Sequence, residues 1–260
     1  MIPIYYMEFE KTEHIQNIIN ILTNIGEKIE GNLLCDIYPE RWIYNEPRCL
    51  ARITNLQNLC KDKSKIIEIG VNACHSLLIM LLENPSAEYL LFDLNNHQYT
   101  IPIMNYMKES FPDTKINIIY GNSIETITQY IEEHPDEMGT YDLCHSDGGC
   151  SVNVFSVDYE NIKKLIKRDA CVVFNDSDYY EINSFIDIKV KTNEIKEVTE
   201  NIVKTDRHFV YQYVYPGEEP VVNEEPVVNE EPVVNEEPVV NEEPVVNEEP
   251  VVNEEPVVNE

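Results

Sequence analysis

Positive charge is scarce in this chain, which sets 19 Lys and Arg against 48 Asp and Glu for a formal net charge of −29. No cluster of five or more basic residues appears. A nucleic-acid surface needs Lys and Arg gathered in patches to neutralise phosphates, so that class of partner is not expected. Long apolar runs are missing too. The longest, "LLIMLL" at 77–82, is far short of the roughly 20 residues that cross a bilayer. The start, "MIPIYYMEFEKTEH", carries no basic leader of the signal-peptide kind. A membrane is therefore not an expected partner, and a cytoplasmic location is. The seven cysteines (Cys35, Cys49, Cys60, Cys74, Cys144, Cys150 and Cys171) form no CxxC pair, which points to free thiols in a reducing compartment. Glycine is thin as well, with 8 residues. That scarcity bears on the turns below.

From Glu218 onward the sequence is EEPVVN repeated seven times and closed by Glu260, with 15 Glu and no base. Each unit offers only Val-Val against two Glu and a Pro, and Pro breaks both helix and ladder. Residues 218–260 thus read as an extended, self-repelling, disordered tail. It is either a by-product of repeat expansion or an arm for an unknown protein partner. What remains is large enough for a real core. It divides into a helical N-terminal segment, 1–60, a candidate cover for an acceptor site, and an α/β domain, 61–217.

Residues 12–30 place Ile15, Ile18, Ile19, Leu22, Ile25 and Ile29 at helical spacing, although Gly26 weakens the far end. A second helix is expected over 48–60. Then the period changes. "KIIEIGV" (65–71), "EYLLFDL" (88–94), "KINIIYG" (115–121), "TYDLCHSDGG" (140–149) and "ACVVFND" (170–176) are short apolar runs ending in Gly, Asp or Asn. Buried parallel strands have that form. Between them, 75–84, 99–111, 123–134 and 155–168 are long enough for helices. Two more strands are expected at 194–200 and 208–215, with no helix between them. The prediction is a doubly wound, mostly parallel seven-stranded sheet closed by an antiparallel hairpin.

In such a sheet, ligands bind beyond the carboxyl ends of the strands. The candidates are therefore Glu68 and Gly70, Asp93, Asn122 and Ser123, His145 and Asp147, and Asn175, Asp176 and Asp178. Gly70 allows a tight turn and close approach of a ligand. Asp93, 23 residues on, ends the next strand, where a carboxylate can accept both hydroxyls of a ribose. A dinucleotide would want G-x-G-x-x-G for its pyrophosphate. Here Asn72, Ala73 and Cys74 put side chains where bare backbone is needed. A nucleoside without phosphates tolerates that loop better, which favours S-adenosylmethionine over NAD.

The motif "IIEIGVNACHSLL" resembles motif I of the class I S-adenosylmethionine-dependent methyltransferases, whose pattern is E/D-x-G-x-x-x-G-x-S. "YLLFDL" resembles their motif II. "YDLCHSDGGCS" and "CVVFNDSD" resemble strand ends of the O-methyltransferase-like branch, and order and spacing hold over 65–178. Similar sequences occur in large DNA viruses with AT-rich genomes, so a viral source and a host cytoplasm are in keeping with the abundant Ile, Asn, Lys and Tyr. The resemblance implies a Rossmann-like methyltransferase fold that binds S-adenosylmethionine through Glu68, Gly70, Asn72, Asp93, Asn122, Ser123 and Asp147. It implies His145 and Asp147 as catalytic groups, His145 as general base. It also implies Mg²⁺ or another divalent cation on Asp147, Asn175 and Asp176, and a hydroxyl of a small molecule or sugar as methyl acceptor.

Three departures stand out: Cys74 replaces the later glycine of motif I, Cys150 replaces a His after "DGG", and "KRDACVVF" lacks the usual Pro-Gly-Gly. The first two leave open a non-catalytic interaction module on the same fold. An NAD-dependent oxidoreductase is the more distant alternative. His75 is expected to pack or cap, and Trp42 with Tyr44 to pack or to cover the acceptor pocket.

Overall fold

A short antiparallel pair, β1 (Cys35–Asp36) and β2 (Arg41–Trp42), forms a sheet of its own. The apolar runs form strands because their side chains are buried on both faces, as in β3 (Lys65–Ile69), where only the first residue reaches solvent. β4 (Glu88–Asp93), β5 (Ile116–Tyr120), β6 (Tyr141–Ser146) and β7 (Ile166–Phe174) join it in parallel. β8 (Ile195–Glu197) and β9 (Phe209–Tyr213) close the sheet, and β9 runs antiparallel to both β7 and β8. The order β5-β4-β3-β6-β7-β9-β8 is the expected doubly wound sheet. The chain winds outward from β3 to β5, then crosses back to lay β6 beside β3. The strand order therefore reverses between β3 and β6, and that crevice is where an α/β sheet binds its ligand.

The computed structural model describes residues 13–30, 33–36, 41–43, 46–149, 151–175, 179–205 and 207–215. All lie within the unit Met1–Glu218. The repeat tail lies outside the described residues, as do Tyr44, Cys150, Asp176 and Asp178.

Alternation along the strands splits the core in two. Ile66, Leu143, Val173 and Val210 face α1 (Glu13–Ile25), α2 (Pro47–Cys60), α3 (His75–Glu83) and α4 (Thr100–Ser110). Ile67, Cys144, Val172 and Tyr211 face α5 (Ser123–Glu133), α6 (Val152–Leu165) and α7 (Tyr180–Lys191). Glu68 and His145, two residues along from Ile66 and Leu143 and paired across β3 and β6, thus point toward the first layer. Burying each large aliphatic is worth about 1.5–3 kcal/mol, so a carboxylate in this row has a purpose other than packing.

Three elements differ from expectation. α1 stops at Ile25, because Gly26 takes φ +75 and leaves the helix. α7 occupies an interval for which the sequence predicts nothing. Only Ile182 and Ile186 are buried on it, while Tyr180, Ile188 and Val190 are exposed apolars that blur the helical period. β7 starts at Ile166, straight out of α6, where the sequence predicts helix to 168. Its pairing jumps from Tyr141↔Ile166 to Leu143↔Cys171. That irregularity absorbs the residues a Pro-Gly-Gly turn would otherwise take up.

Candidate functional site

At the end of β3 the ladder runs on for one more residue on each side. Gly70 donates its N–H to the Phe92 carbonyl at 2.8 Å, and Asp147 donates to the Ile69 carbonyl at 2.8 Å. Gly70 then turns at φ +83, with a Cβ there falling 2.0 Å from the Asp147 carbonyl oxygen. The backbone just past the neighbouring strand β6 demands this glycine. Asn72 (φ 49) and Cys74 (φ 58) are left-handed as well. Residue 74 thus needs a conformation that glycine adopts freely, and Cys74 adopts it at about 1–2 kcal/mol. The turn survives the substitution, and α3 starts at His75.

Asp93 fixes that turn from β4. Its Oδ2 accepts the N–H groups of Val71 (2.9 Å) and Asn72 (2.8 Å), and its Oδ1 accepts that of Asn95 (2.7 Å). A carboxylate offers about four lone-pair sites, so the bidentate ribose contact expected from the sequence is reduced to a single site. Asn72 is held in turn by the Tyr99 hydroxyl, which donates to its Oδ1 at 2.7 Å. The Tyr99 hydroxyl also accepts the Glu30 N–H at 3.3 Å, and His97 stacks on the Tyr99 ring and contacts Glu27 and Glu30 at 3.0 and 2.7 Å. These carboxylates raise the His97 imidazole against the opposing effect of burial. The segment 26–30 is thereby tied to the motif I turn.

Glu68 is fully buried. Its Oε1 accepts from the Ser76 hydroxyl and lies 3.0 Å from His145 Nδ1, whereas its Oε2 has no hydrogen-bond partner. His145, at 1% exposure, is sealed under the turn, and this removes it from the direct contact a general base needs with an acceptor. Its ring lies 5.4 Å from that of His208. His208 Nδ1 is buried without a partner. Burial holds His208 well below the usual imidazole range, helped by the charges of His145 and Arg52. His75 is buried, accepts the Leu34 N–H at 3.4 Å and packs on Trp42, and burial lowers it to about 3. It is a neutral packing residue.

Asp147 stands half-buried past the end of β6. Burial raises its carboxyl, against the opposing pull of His145 and of Asn175. Asn175 Nδ2 donates to Asp147 Oδ1 at 2.5 Å, which closes the pair on itself and turns N–H toward any cation between them. Among the described residues no group of three or more His, Cys, Asp or Glu could hold a metal ion. Asp176, the third residue of the expected cation set, lies outside the described residues.

Asn122 caps α5 by accepting the Ile124 N–H on its Oδ1 at 3.2 Å. Ser123 donates to Asp158 Oδ2 at 3.0 Å. Asp158 is 2% exposed with Oδ1 unpartnered, and burial lifts it to about 6. The folded chain therefore holds this proton more tightly than the unfolded chain, and stability falls as pH rises from about 4 to about 6. We expect Asp158→Asn to stabilise the protein by about 2–3 kcal/mol at pH 7.5 and to change little at pH 4, as read by urea unfolding at both values. An equal gain at both would remove the carboxyl as the cause.

Sequence reasoning missed Asp158, Arg52, His208 and Tyr99. Arg52 did leave a trace: it sits on the buried face of α2 among Cys49, Ile53 and Leu56, where a cation breaks the apolar stripe. Trp42 takes the packing role, against His75. It lines an open depression of about 400 Å³ with Ile19, Leu22, Glu27 and Ile29.

A family model described as O-methyltransferase matches residues 50–210, more than half of the chain. No curated protein matches it in sequence. Among solved structures it is similar to an O-methyltransferase from Bacillus cereus in complex with SAH, at 14% identity and TM-score 0.56, covering 79% of this chain and 92% of that one. It is also similar to a protein from Klebsiella pneumoniae assigned as an O-methyltransferase, at 12% identity and TM-score 0.54, covering 78% and 90%. At such identities the likeness shows the fold alone.

Proposed function

Because the chain belongs to the O-methyltransferase family, we propose that it moves the methyl group of S-adenosylmethionine to a hydroxyl of a small molecule or sugar. One observation carries the reading: at the switch point, a buried carboxylate on β4 clasps a turn of left-handed residues while a second on β3 keeps one oxygen unpartnered. The open site on Asp93 Oδ1 would accept from one ribose hydroxyl, and α5 at Ser123 would border the adenine, while the buried Glu68 would act from beneath the turn by holding Ser76. The bound cofactor supplies an activated methyl carbon for in-line displacement.

The protein's own work is alignment, worth up to about 7–11 kcal/mol of barrier. The acceptor oxygen bonds to the methyl carbon as the carbon–sulfur bond breaks, and the hydroxyl proton leaves. Asp147 Oδ2, the oxygen that Asn175 leaves open, is the group placed to take it. His145 acts behind it by orienting Glu68. The N-terminal segment 1–60 covers this end through α2, and no helix among the described residues is long and apolar enough to cross a membrane.

Two measurements on the full chain test this. S-adenosylhomocysteine should bind with micromolar affinity by calorimetry; no heat and no thermal stabilisation at millimolar ligand would sink the proposal. The Asp147–Asn175 pair predicts that chelator leaves methyl transfer within about two-fold. Turnover lost in EDTA and restored by Mg²⁺ would show that the pair opens around a cation.

A further inference from the structure

Arg52 presents a problem that the reaction as described does not solve. Its side chain rises from α2, which must descend to the amino edge of the sheet before β3, so its early turns stand at the carboxyl edge. The residue is 7% exposed, its Nε is buried without an acceptor, and no described carboxylate forms an ion pair with it. Buried arginines are almost always paired, since an uncompensated charge is costly. Asp147, the described carboxylate on which the Arg52 charge acts, already accepts from Asn175 through one oxygen. That charge is also felt at His208. His208 is delivered by a turn in which its N–H donates to Thr205 Oγ1 at 2.8 Å, and its Nδ1 is a second buried polar atom without a partner. His208 thus sits against His145 at the end of β6, just before β9 opens beside β7, with Arg52 close enough for its charge to act there.

We propose that Arg52, with His208 beside it, receives a ligand carboxylate, so that the methyl acceptor is a hydroxylated acid. The inference rests on the methyltransferase reading. With the adenosyl portion over β5, β4 and β3, what lies farther along the sheet faces the acceptor. Arg52 and His208 are on that side. A guanidinium binds a carboxylate through parallel N–H donors, which orients the acid and presents its hydroxyl toward Asp147. The amino-acid carboxylate of the cofactor is the other source of the same chemistry.

The test titrates 3,4-dihydroxybenzoate and catechol, two acceptors differing by one carboxylate, into the full chain and its Arg52→Gln variant, with and without S-adenosylhomocysteine. S-adenosylhomocysteine and 5′-methylthioadenosine, which lacks the amino-acid end, are titrated in parallel. We expect the native chain to bind the acid about 10- to 100-fold tighter than catechol, and Arg52→Gln to erase that preference while S-adenosylhomocysteine stays within two-fold. Loss of S-adenosylhomocysteine affinity with methylthioadenosine unchanged would support the pocket with the cofactor as its source. A native chain indifferent to the carboxylate in both pairs, or a preference that survives Arg52→Gln, overturns the proposal. Melting without ligand gives an independent reading. Removal of an uncompensated charge should raise the Tm by about 2–4 °C. A fall of that size would place the counter-ion within the chain and overturn the pocket as well. Failure of the native chain to bind S-adenosylhomocysteine, with the acid preference intact, would remove the methyltransferase reading and leave the anion pocket standing.

Discussion

Asp93→Ala should weaken S-adenosylhomocysteine binding by about 100-fold or more, equivalent to about 2.7 kcal/mol. The size follows from the work of the carboxylate rather than from one ligand contact. Three backbone N–H groups, from Val71, Asn72 and Asn95, lose their acceptor together. Hydrogen bonds to a charged group are worth about 1.5–3 kcal/mol each, and water recovers part of that sum. The turn 70–74 then loses its fixed shape, and the ligand must order it on binding. Asp93→Asn should be nearly as damaging, because an amide turns two hydrogens toward a site built from donors. Calorimetry on the full chain decides the matter: affinity within three-fold of native in both variants would mean that the crevice is not at this turn.

Gly70→Ala is the second large effect, and it acts on the fold first. A Cβ would sit 2.0 Å from the Asp147 carbonyl oxygen and 2.6 Å from its carbon, with φ at +83. Neither obstacle is the tip of a flexible side chain. Accommodation would part the ends of β3 and β6 and break the 2.8 Å bond from Asp147 to Ile69. We expect a loss of about 4 kcal/mol or more, lowering the Tm by about 10 °C, together with loss of S-adenosylhomocysteine binding. Gly139→Ala is the control. It shares a positive φ of +67 but meets nothing within 4 Å, so only the backbone strain of about 1–2 kcal/mol applies. Equal melting temperatures for the two variants would show that the close approach at Gly70 does not exist in solution.

Most of the sheet was legible because its strands are buried on both faces and write themselves as unbroken apolar runs. The three deviating elements failed for local reasons. α7 buries two isoleucines and exposes its other apolar residues, and β7 begins inside charged residues, Lys167 to Asp169. At the site, residue type and place were readable at Glu68, Gly70, Asp93 and Asp147, which end strands in the sequence as they do in space. Their partners were not. Asp93 reads as a free acid at a strand end, yet the turn it faces is 21 and 22 residues away. His145 reads as an available base, and only its pairing with Glu68 across the sheet shows it sealed.

The sequence alone determined the alternation of strands and helices, the acids at the strand exits and the family motif, because burial and turn chemistry act on neighbouring residues. Tertiary structure alone decided which groups are spent and which are left over. Asp93 gives three acceptor sites to the backbone and His145 pairs with Glu68, whereas Arg52 Nε on α2, His208 Nδ1 just before β9 and one oxygen of Glu68 on β3 are buried without partners. Hydrogen-bond satisfaction is a property of three-dimensional neighbourhoods, and those neighbourhoods exist only once residues as far apart in sequence as Asn55 and Val203, 148 positions, have been folded against one another.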